Sequence, residues 1–238
     1  MLLNATIAQA IGDISALLRK ELKSTPSFDD AALKVVRTAF KETTAVRFEG
    51  NNYSDKWVVE ARKRGLPNIR RTPEALAQII TKPSRDLFQT LGILSPEETE
   101  SRYHIRLERY IKDMLIEMHT LAEMVDTMVL PGAYAYLGAL SGAAANARKA
   151  GIKVAPQAAA AKDAGKLTLT LQKAASGLHA ALDRAEGMHH DAGKQAQFLT
   201  STGADSMATV REASDALELR MGDAYWPLPR YREMLFPV

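Results

Sequence analysis

The sequence predicts an all-α fold, in the form of an antiparallel helical bundle with long helices of heptad-like spacing. Aromatic residues make up only 6% of its 238 residues. Alanine, the strongest helix former, is abundant, whereas strands draw on β-branched and aromatic residues. Apolar residues also recur at alternating steps of three and four, which is the spacing of one helix face. One short extended segment near residues 45–49 is the departure that we expect.

The longest apolar series predicts one long helix with a narrow apolar seam. It keeps a 3.5-residue period for three heptads through Leu107, Ile111, Met114, Met118, Leu121, Val125 and Met128. Ser95-Pro96-Glu97-Glu98 marks its start, because serine can cap the helix, proline suits the first helical position and Glu98 completes a capping box. Pro131 is expected to end or kink this helix.

Three further series have the same spacing. They are Leu3, Ile7, Ala10, Ile14 and Leu17; Leu171, Ala174, Leu178, Leu182 and Ala185; and Met207, Val210, Ser214, Leu217 and Met221. Helices with such seams and short connections favour an antiparallel bundle over residues 95–222, although any amphipathic helix shows this spacing. The alanine-rich stretch from Gly151 to Gly165 predicts a mobile connector or a frayed helix.

Residues 1–94 contain shorter elements with clear start signals. Ser27 is a candidate cap for a helix that reaches about Phe40. Thr72-Pro73-Glu74 is typical of the start of another helix, which should end before Pro83.

The segment between these two helices is unusual in composition. Ala45-Val46-Arg47-Phe48 predicts a short strand. Gly50-Asn51-Asn52-Tyr53-Ser54 favours a turn, from which Ser54 caps a helix that carries Trp57. We refer to residues 48–57 as the aromatic loop.

The chain is therefore divided into residues 1–94, the bundle of residues 95–222 and a tail of residues 223–238. Trp226-Pro227-Leu228-Pro229 cannot be helical, and the tail is too apolar to extend into water. We expect it to dock on the body of the protein. Its other apolar residues are Tyr231, Met234, Leu235 and Phe236.

Composition and charge exclude several classes of function. The absence of cysteine excludes disulfides and thiolate metal sites, and a net charge of +3 is too small to predict a nucleic-acid partner. No basic region precedes the first apolar residues, so we expect a cytoplasmic protein. The uncharged run from Thr127 to Ala147 is long enough to span a membrane, but its proline, glycine and tyrosines favour a buried soluble helix.

The histidines do not predict a metal site. They are His104, His119, His179, His189 and His190. A carboxylate-bridged dimetal bundle needs Glu-x-x-His on two helices, whereas Glu186-Gly187-Met188-His189 matches once and is more typical of a solvated helix end. His119 follows the seam residue Met118, and we interpret it as hydrogen-bonded to a neighbouring helix. Serine-nucleophile, phosphate-loop and dinucleotide motifs are absent from the sequence.

A basic cluster follows the aromatic loop. It consists of Arg62, Lys63, Arg64, Arg70 and Arg71. These cations could hold an anion or a polynucleotide, but the first three suit the last turn of a helix and no interleaved aromatic residues offer base stacking. We interpret the cluster as a solvated or intersubunit face. The residues themselves therefore assign no catalytic, cofactor-binding or metal-binding position.

Two long segments carry a family resemblance. One is Phe48-Glu49-Gly50-Asn51-Asn52-Tyr53-Ser54-Asp55-Lys56-Trp57 with its continuation to Asn68, and the other is Trp226-Pro227-Leu228-Pro229-Arg230-Tyr231-Arg232-Glu233-Met234-Leu235-Phe236. In order and spacing they resemble the C-terminal region of type III glutamine synthetases, the large bacterial form. Leu3-Asn4-Ala5-Thr6-Ile7-Ala8 is similar to the helix that follows the family's last catalytic strand.

The resemblance implies both a function and its limit. Members of the family join glutamate and ammonia at the expense of ATP, through a γ-glutamyl phosphate. They use Mg²⁺ or Mn²⁺ held by glutamates on a β-sheet, and they assemble as two stacked hexamers. The resemblance implies that this chain follows that sheet. The metal ligands and the ATP site would then lie upstream, and the chain alone would be inactive as a ligase.

We therefore expect a C-terminal helical region that serves assembly or regulation. Its partners would be the glutamine synthetase catalytic core or further copies of the chain, with no nucleic acid, membrane or cofactor bound by this segment. The alternative is a stand-alone helical-bundle module for protein interaction, and a metalloenzyme bundle is a third candidate.

Overall fold

The computed structural model describes residues 2–235, apart from the side chains of Tyr231 and Arg232. The α-helices of this range, in chain order, are α1 Leu2–Glu21, α2 Phe28–Glu42, α3 Asp55–Lys63, α4 Thr72–Ala77, α5 Lys82–Thr90, α6 Pro96–Met124, α7 Leu130–Lys149, α8 Ala155–Glu186, α9 Ala192–Phe198, α10 Ala204–Glu218 and α11 Tyr231–Leu235. The described residues contain no β-strand, which confirms the predicted all-α class.

The chain separates into two compact units. Unit 1 is Met1–Arg106 and unit 2 is Leu107–Val238. The boundary between them falls within α6, about three turns after the helix start that the sequence marks at Ser95. The three-part division into residues 1–94, 95–222 and 223–238 stays a prediction.

Unit 1 has a small core built around α1 and α5. Ala5, Phe88 and Leu94 are buried together, with partly buried leucines and isoleucines of α5 and its flanks packed on them. Ser27 caps α2 as predicted, since its hydroxyl accepts a hydrogen bond from the Asp30 backbone N–H. Helix α5 was not expected, because Pro83 was interpreted as a stop; proline is also well tolerated in the first turn of a helix, where it lies here.

The predicted strand at residues 45–48 does not form. A 3₁₀ turn covers Thr43–Val46, and extended backbone begins only at Arg47. A strand needs a partner for its ladder of hydrogen bonds, and the described residues contain none. The carbonyl groups of this segment bond instead to the Arg64 side chain, as described below.

Unit 2 begins on the long helix that the sequence predicts. The capping box of α6 is complete, because the Ser95 hydroxyl accepts from the Glu98 backbone N–H at 3.2 Å and the Glu98 carboxylate accepts from the Ser95 N–H at 2.8 Å. The seam is buried at Leu107, Met118 and Val125.

Pro131 does not end this helical path. A π turn, Val125–Val129, joins α6 to α7, and Pro131 lies in the first turn of α7. The wider turn shifts the buried face by one residue, so that Val129 is buried where the heptad spacing predicted Met128. Prolines and π turns are common causes of such a change of register.

Helices α7, α8 and α10 pack side by side, with α8 in contact with both of the others. Their connections are short, which makes neighbours antiparallel. The predicted seam of α8 is confirmed, since all five of its residues are buried. They are Leu171, Ala174, Leu178, Leu182 and Ala185. Of the two alternatives predicted for residues 151–165, the mobile connector is wrong from Ala155 onward. A helix forms there, because Pro156 suits the first turn of α8 and the alanines favour a helix.

The path Pro96–Lys149 contains one segment that is apolar and long enough to cross a membrane, and 22% of that segment is buried. In α7, Leu130, Ala133 and Ala144 are buried while Tyr134 is exposed. The run from Thr127 to Ala147 is thus helical, with one face buried.

The tail is part of unit 2, and we call its described residues, 223–235, the C-terminal segment. Trp226 is buried, whereas Met234 and Leu235 are exposed. The predicted tail residue Phe236 lies outside the described residues.

Candidate functional site

Arg64 organises the aromatic loop of unit 1. Its guanidinium donates to the carbonyl of Arg47 at 2.7 Å and to that of Ala45 at 3.3 Å. Its Nε donates to the Glu60 carboxylate at 2.8 Å, one helical turn earlier. This hydrogen bond is the main reason that the pKa of Glu60 is lowered. Arg64 therefore ties the end of α3 to the chain that precedes the loop.

An aromatic pair forms the base of the loop. The rings of Phe48 and Trp57 lie 4.7 Å apart between centroids, and the Arg64 guanidinium lies over the Trp57 ring at 5.6 Å. Gly50 has a φ of +150°, and a Cβ there would lie 3.0 Å from the Phe48 ring. A side chain at this position would be strained and would press on the aromatic pair.

Tyr53 projects from the tip of the loop and is 99% exposed. The Asn51 side chain accepts from the Tyr53 backbone N–H at 2.9 Å, and the Ser54 hydroxyl donates to the Asn51 carbonyl at 2.7 Å. Ser54 is at the N-cap position of α3 as predicted, but its hydroxyl bonds to the turn and makes no side-chain cap. An aromatic ring held in water by an ordered turn is suited to contact another surface.

The basic cluster is divided by the fold. Arg64 bonds to the loop, while Arg62 and Arg70 line a shallow hollow with Val58 and Asn68. Arg62 lies in the last turn of α3, where a cation suits the helix dipole. The structure therefore does not bring the predicted cations to one point.

Two histidine–carboxylate pairs join α8 to the α6 side of unit 2. His119 Nε2 lies 2.8 Å from a Glu186 oxygen, and His179 Nε2 lies 2.8 Å from an Asp126 oxygen. The two pairs are reciprocal, because each helical segment supplies one histidine and one carboxylate. His119 and Asp126 are seven residues apart on one segment, and His179 and Glu186 are seven apart on the other. Sequence analysis predicted that His119 bonds to a neighbouring helix, but it named no partner and did not predict the pair of His179. The equal spacing is a signal that could have been used.

His189 and His190 lie in the turn after α8. His189 Nδ1 lies 2.9 Å from the Glu186 backbone carbonyl oxygen, and the His190 ring contacts the His189 ring at an interplanar angle of 51°. Within the described part of the chain, no group of three or more histidine, aspartate and glutamate side chains is arranged to hold a metal ion.

Helices α1 and α2 of unit 1 carry many exposed apolar residues. The predicted seam of α1 is not buried within the described residues, where only Ala5 of this helix is buried. The exposed apolar residues of the two helices are Leu2, Leu3, Ile7, Ile11, Ile14, Leu17, Phe28, Leu33, Val36 and Phe40. We call this set the α1–α2 apolar face. Exposed apolar residues that recur at helical spacing make this face a candidate interaction surface.

Comparison with known proteins gives a consistent family. Residues 31–148 match the family model described as glutamine synthetase C-terminal domain. The chain is 35% identical to a glutamine synthetase of Butyrivibrio fibrisolvens over 88% of its length and 31% of that protein's. It is 30% identical to a type-3 glutamine synthetase of Dictyostelium discoideum over 99% of its length and 33% of that protein's.

A glutamine synthetase of Bacteroides fragilis is 27% identical over 98% of the chain and 33% of its own length. The chain thus spans about a third of the length of the curated relatives that it matches. The aromatic loop, Arg64 and all but the first three residues of α2 lie inside the matched residues 31–148. The chain belongs to the glutamine synthetase C-terminal domain family, with type-3 enzymes among its relatives.

Proposed function

We propose that this chain works as the C-terminal helical region of a type III glutamine synthetase and serves its assembly. The observation that carries the proposal is the family match at residues 31–148 together with relatives about three times as long. In the assembled enzyme, ATP-dependent ligation of ammonia to glutamate with Mg²⁺ or Mn²⁺ would take place on the catalytic core. The proposal places the chain in the cytoplasm.

The α1–α2 apolar face supports a packing role. Burial of exposed isoleucines, leucines and phenylalanines at helical spacing is favourable. It lowers the free energy by about 25 cal/mol for each Å² removed from water. We infer that the catalytic core covers this face. The ordered aromatic loop, with exposed Tyr53, provides a second contact in the same unit.

The test is binding of the 238-residue chain to the glutamine synthetase of Butyrivibrio fibrisolvens, produced without its own C-terminal third. We expect the two to comigrate in size-exclusion chromatography. Ile11→Asp, which puts a charge on the α1–α2 apolar face, should abolish comigration. Ile116→Asp is the matched control, because Ile116 of α6 is 63% exposed, as is Ile11.

Two results would contradict the proposal. One is ATP-dependent glutamine formation by the chain alone with magnesium or manganese. The other is a chain that forms a stable homodimer, sensitive to Ile11→Asp, and does not bind the truncated relative. The second result would instead support the alternative of a stand-alone interaction module, which the same apolar face favours.

A further inference from the structure

Helix α3 of unit 1 has an exposed outer face next to the aromatic loop. Trp57, Glu60 and Ala61 are buried or half-buried, whereas Lys56 and Val59 are exposed. Val59 is an apolar side chain with 56% of its surface exposed. The two sets of positions recur at helical spacing, so they define an inner and an outer face of one short helix.

The segment of residues 47–71, which contains α3, carries a surplus of positive charge. It has seven basic and three acidic side chains, which gives a net charge of +4. The whole chain has a net charge of +3, so the remaining residues together sum to −1. The positive charge of the chain is therefore concentrated around α3.

Some of these cations are paired within the protein and others are not. Arg64 bonds to the Glu60 carboxylate. In contrast, the side chains of Lys56, Arg62 and Arg70 form no hydrogen bond or ion pair within the described residues. Arg62 and Arg70 line a hollow of about 340 Å³ whose lining contains no acidic residue. Exposed cations without a partner favour association with a surface of opposite charge.

Tyr53 adds an aromatic side chain at the start of this outer face. It is 99% exposed, and its turn is ordered, because the Asn51 side chain accepts from the Tyr53 backbone N–H. A loop that is ordered before binding loses less conformational entropy on binding. Tyrosine is enriched among the residues that dominate binding energy at interfaces, and its hydroxyl can donate to a carboxylate.

The aromatic residues of the loop favour a protein partner over a nucleic acid. Proteins that bind single-stranded nucleic acids use several aromatic rings on which successive bases stack. Here the Phe48 and Trp57 rings contact each other, which leaves Tyr53 as the free ring of the loop. One aromatic ring beside unpaired cations fits an acidic protein surface with a pocket for that ring.

We propose that Tyr53, Lys56, Arg62 and Arg70 form a docking surface for an acidic surface of the glutamine synthetase catalytic core. We call these four residues the α3 cationic surface. The inference rests on the proposed function and adds the chemistry of a second contact, which is electrostatic where that of the α1–α2 apolar face is hydrophobic. In such a contact the cations mainly speed association, whereas the aromatic side chain contributes most of the affinity.

The test measures binding of the chain to the truncated Butyrivibrio fibrisolvens enzyme by biolayer interferometry, at about 50 and about 300 mM NaCl. We expect the wild-type affinity to fall roughly tenfold at the higher salt concentration, because salt screens the cations. Arg62→Gln combined with Arg70→Gln should weaken binding roughly fivefold at the lower salt concentration and much less at the higher one. Tyr53→Ala should weaken binding roughly tenfold at both.

Two controls separate contact from general effects of charge and size. Arg148→Gln combined with Lys149→Gln removes the same charge from the exposed last turn of α7 in unit 2 and should leave the affinity unchanged. Tyr53→Phe keeps the ring and should bind more tightly than Tyr53→Ala. An oligothymidylate added as competitor should not displace the chain.

The possible failures are distinguishable. No binding by the wild type at either salt concentration would contradict the proposed function and this inference together. Binding that Ile11→Asp abolishes, but that Tyr53→Ala and added salt leave unchanged, would contradict the inference alone. Equal effects of the two double variants would indicate long-range charge and not a contact. Displacement by oligothymidylate would identify the surface as one for nucleic acid, and it would also overturn the inference.

Discussion

Helices α1 and α8 have the same apolar spacing but opposite burial. Within the described residues, α1 buries Ala5 alone of its 20 residues, whereas α8 buries nine of 32. Both series repeat at three and four residues, so both define one helix face. The spacing shows that a face is apolar, and it does not show which molecule covers it.

The difference between the units has a functional meaning. Unit 2 covers its own seams with α7, α8 and α10, and its polar groups pair across helices. Unit 1 has a small core around Phe88, and the apolar residues of the α1–α2 apolar face are exposed in it. We therefore expect unit 2 to determine the stability of the chain and unit 1 to determine what it binds.

The strongest test of this contrast is a pair of core and face truncations. Leu178→Ala removes a fully buried side chain of α8 and should cost about 3 kcal/mol of unfolding free energy. Ile11→Ala removes an exposed side chain of α1 and should change it by less than about 0.5 kcal/mol.

Urea unfolding can follow each unit separately, because Trp57 belongs to unit 1 and Trp226 to unit 2. Fluorescence in a Trp57→Phe background reports unit 2, and Trp226→Phe reports unit 1. A cost for Ile11→Ala as large as that for Leu178→Ala, at low protein concentration, would show that the chain covers the α1 face itself.

A second pair tests whether the C-terminal segment is part of unit 2. Gly132→Ala places a Cβ against the Tyr225 carbonyl and should cost about 1–3 kcal/mol, as overpacking does. Gly138→Ala, in the same helix, meets nothing within 4 Å and should stabilise the protein by about 0.5–1 kcal/mol. Thermal unfolding measures both. Equal effects would mean that the segment is not held against α7 in solution.

The contrast also explains which parts of the fold could be predicted. The capping box at Ser95 and the seam of α8 depend on local propensity and on partners within the chain, and both were predicted. The buried register after Val125 was not, because a π turn adds a residue that the heptad pattern does not show. The predicted strand at residues 45–48 failed for another reason, since the hydrogen bonds of its carbonyls come from Arg64, about 20 residues later.

The candidate site was less predictable than the fold. The aromatic loop was identified from its unusual composition and its family resemblance, and its geometry depends on contacts that no spacing shows. Trp226 was expected to dock, but its unpartnered indole N–H becomes evident only when its neighbours are known. The reciprocal histidine pairs had a readable spacing, yet their partners lie on another helix.

A smaller effect is expected from the cap at the start of α6. Ser95→Ala removes the hydroxyl that accepts from the Glu98 N–H, which should cost about 1 kcal/mol. The Ser95 hydroxyl also donates to the Glu97 carboxylate at 2.8 Å. Backbone N–H donation to Glu97 is the main reason that the pKa of this carboxylate is lowered, and the Ser95 hydroxyl adds to it.

The sign of the pH dependence follows from that lowered pKa. A carboxylate whose pKa falls on folding stabilises the native state above its unfolded pKa, and that contribution disappears as pH falls through the folded pKa. The difference in unfolding free energy between the wild type and Ser95→Ala should therefore be largest near neutral pH and shrink below about pH 4. A difference that grows in acid would contradict this assignment.

The smallest effect is expected from the histidine–carboxylate pairs of unit 2. A double-mutant cycle of His119→Gln and Glu186→Gln isolates their coupling energy. Both side chains are about half exposed, so water screens the pair and the coupling should stay below about 1 kcal/mol. His104→Gln with Glu100→Gln is a control cycle on one helix, where the atoms lie 3.7 Å apart. A coupling above about 2 kcal/mol for His119 and Glu186 would mean that another surface shields this side of unit 2. The contrast between a unit 2 that buries its own apolar faces and a unit 1 that exposes the α1–α2 apolar face would then be wrong.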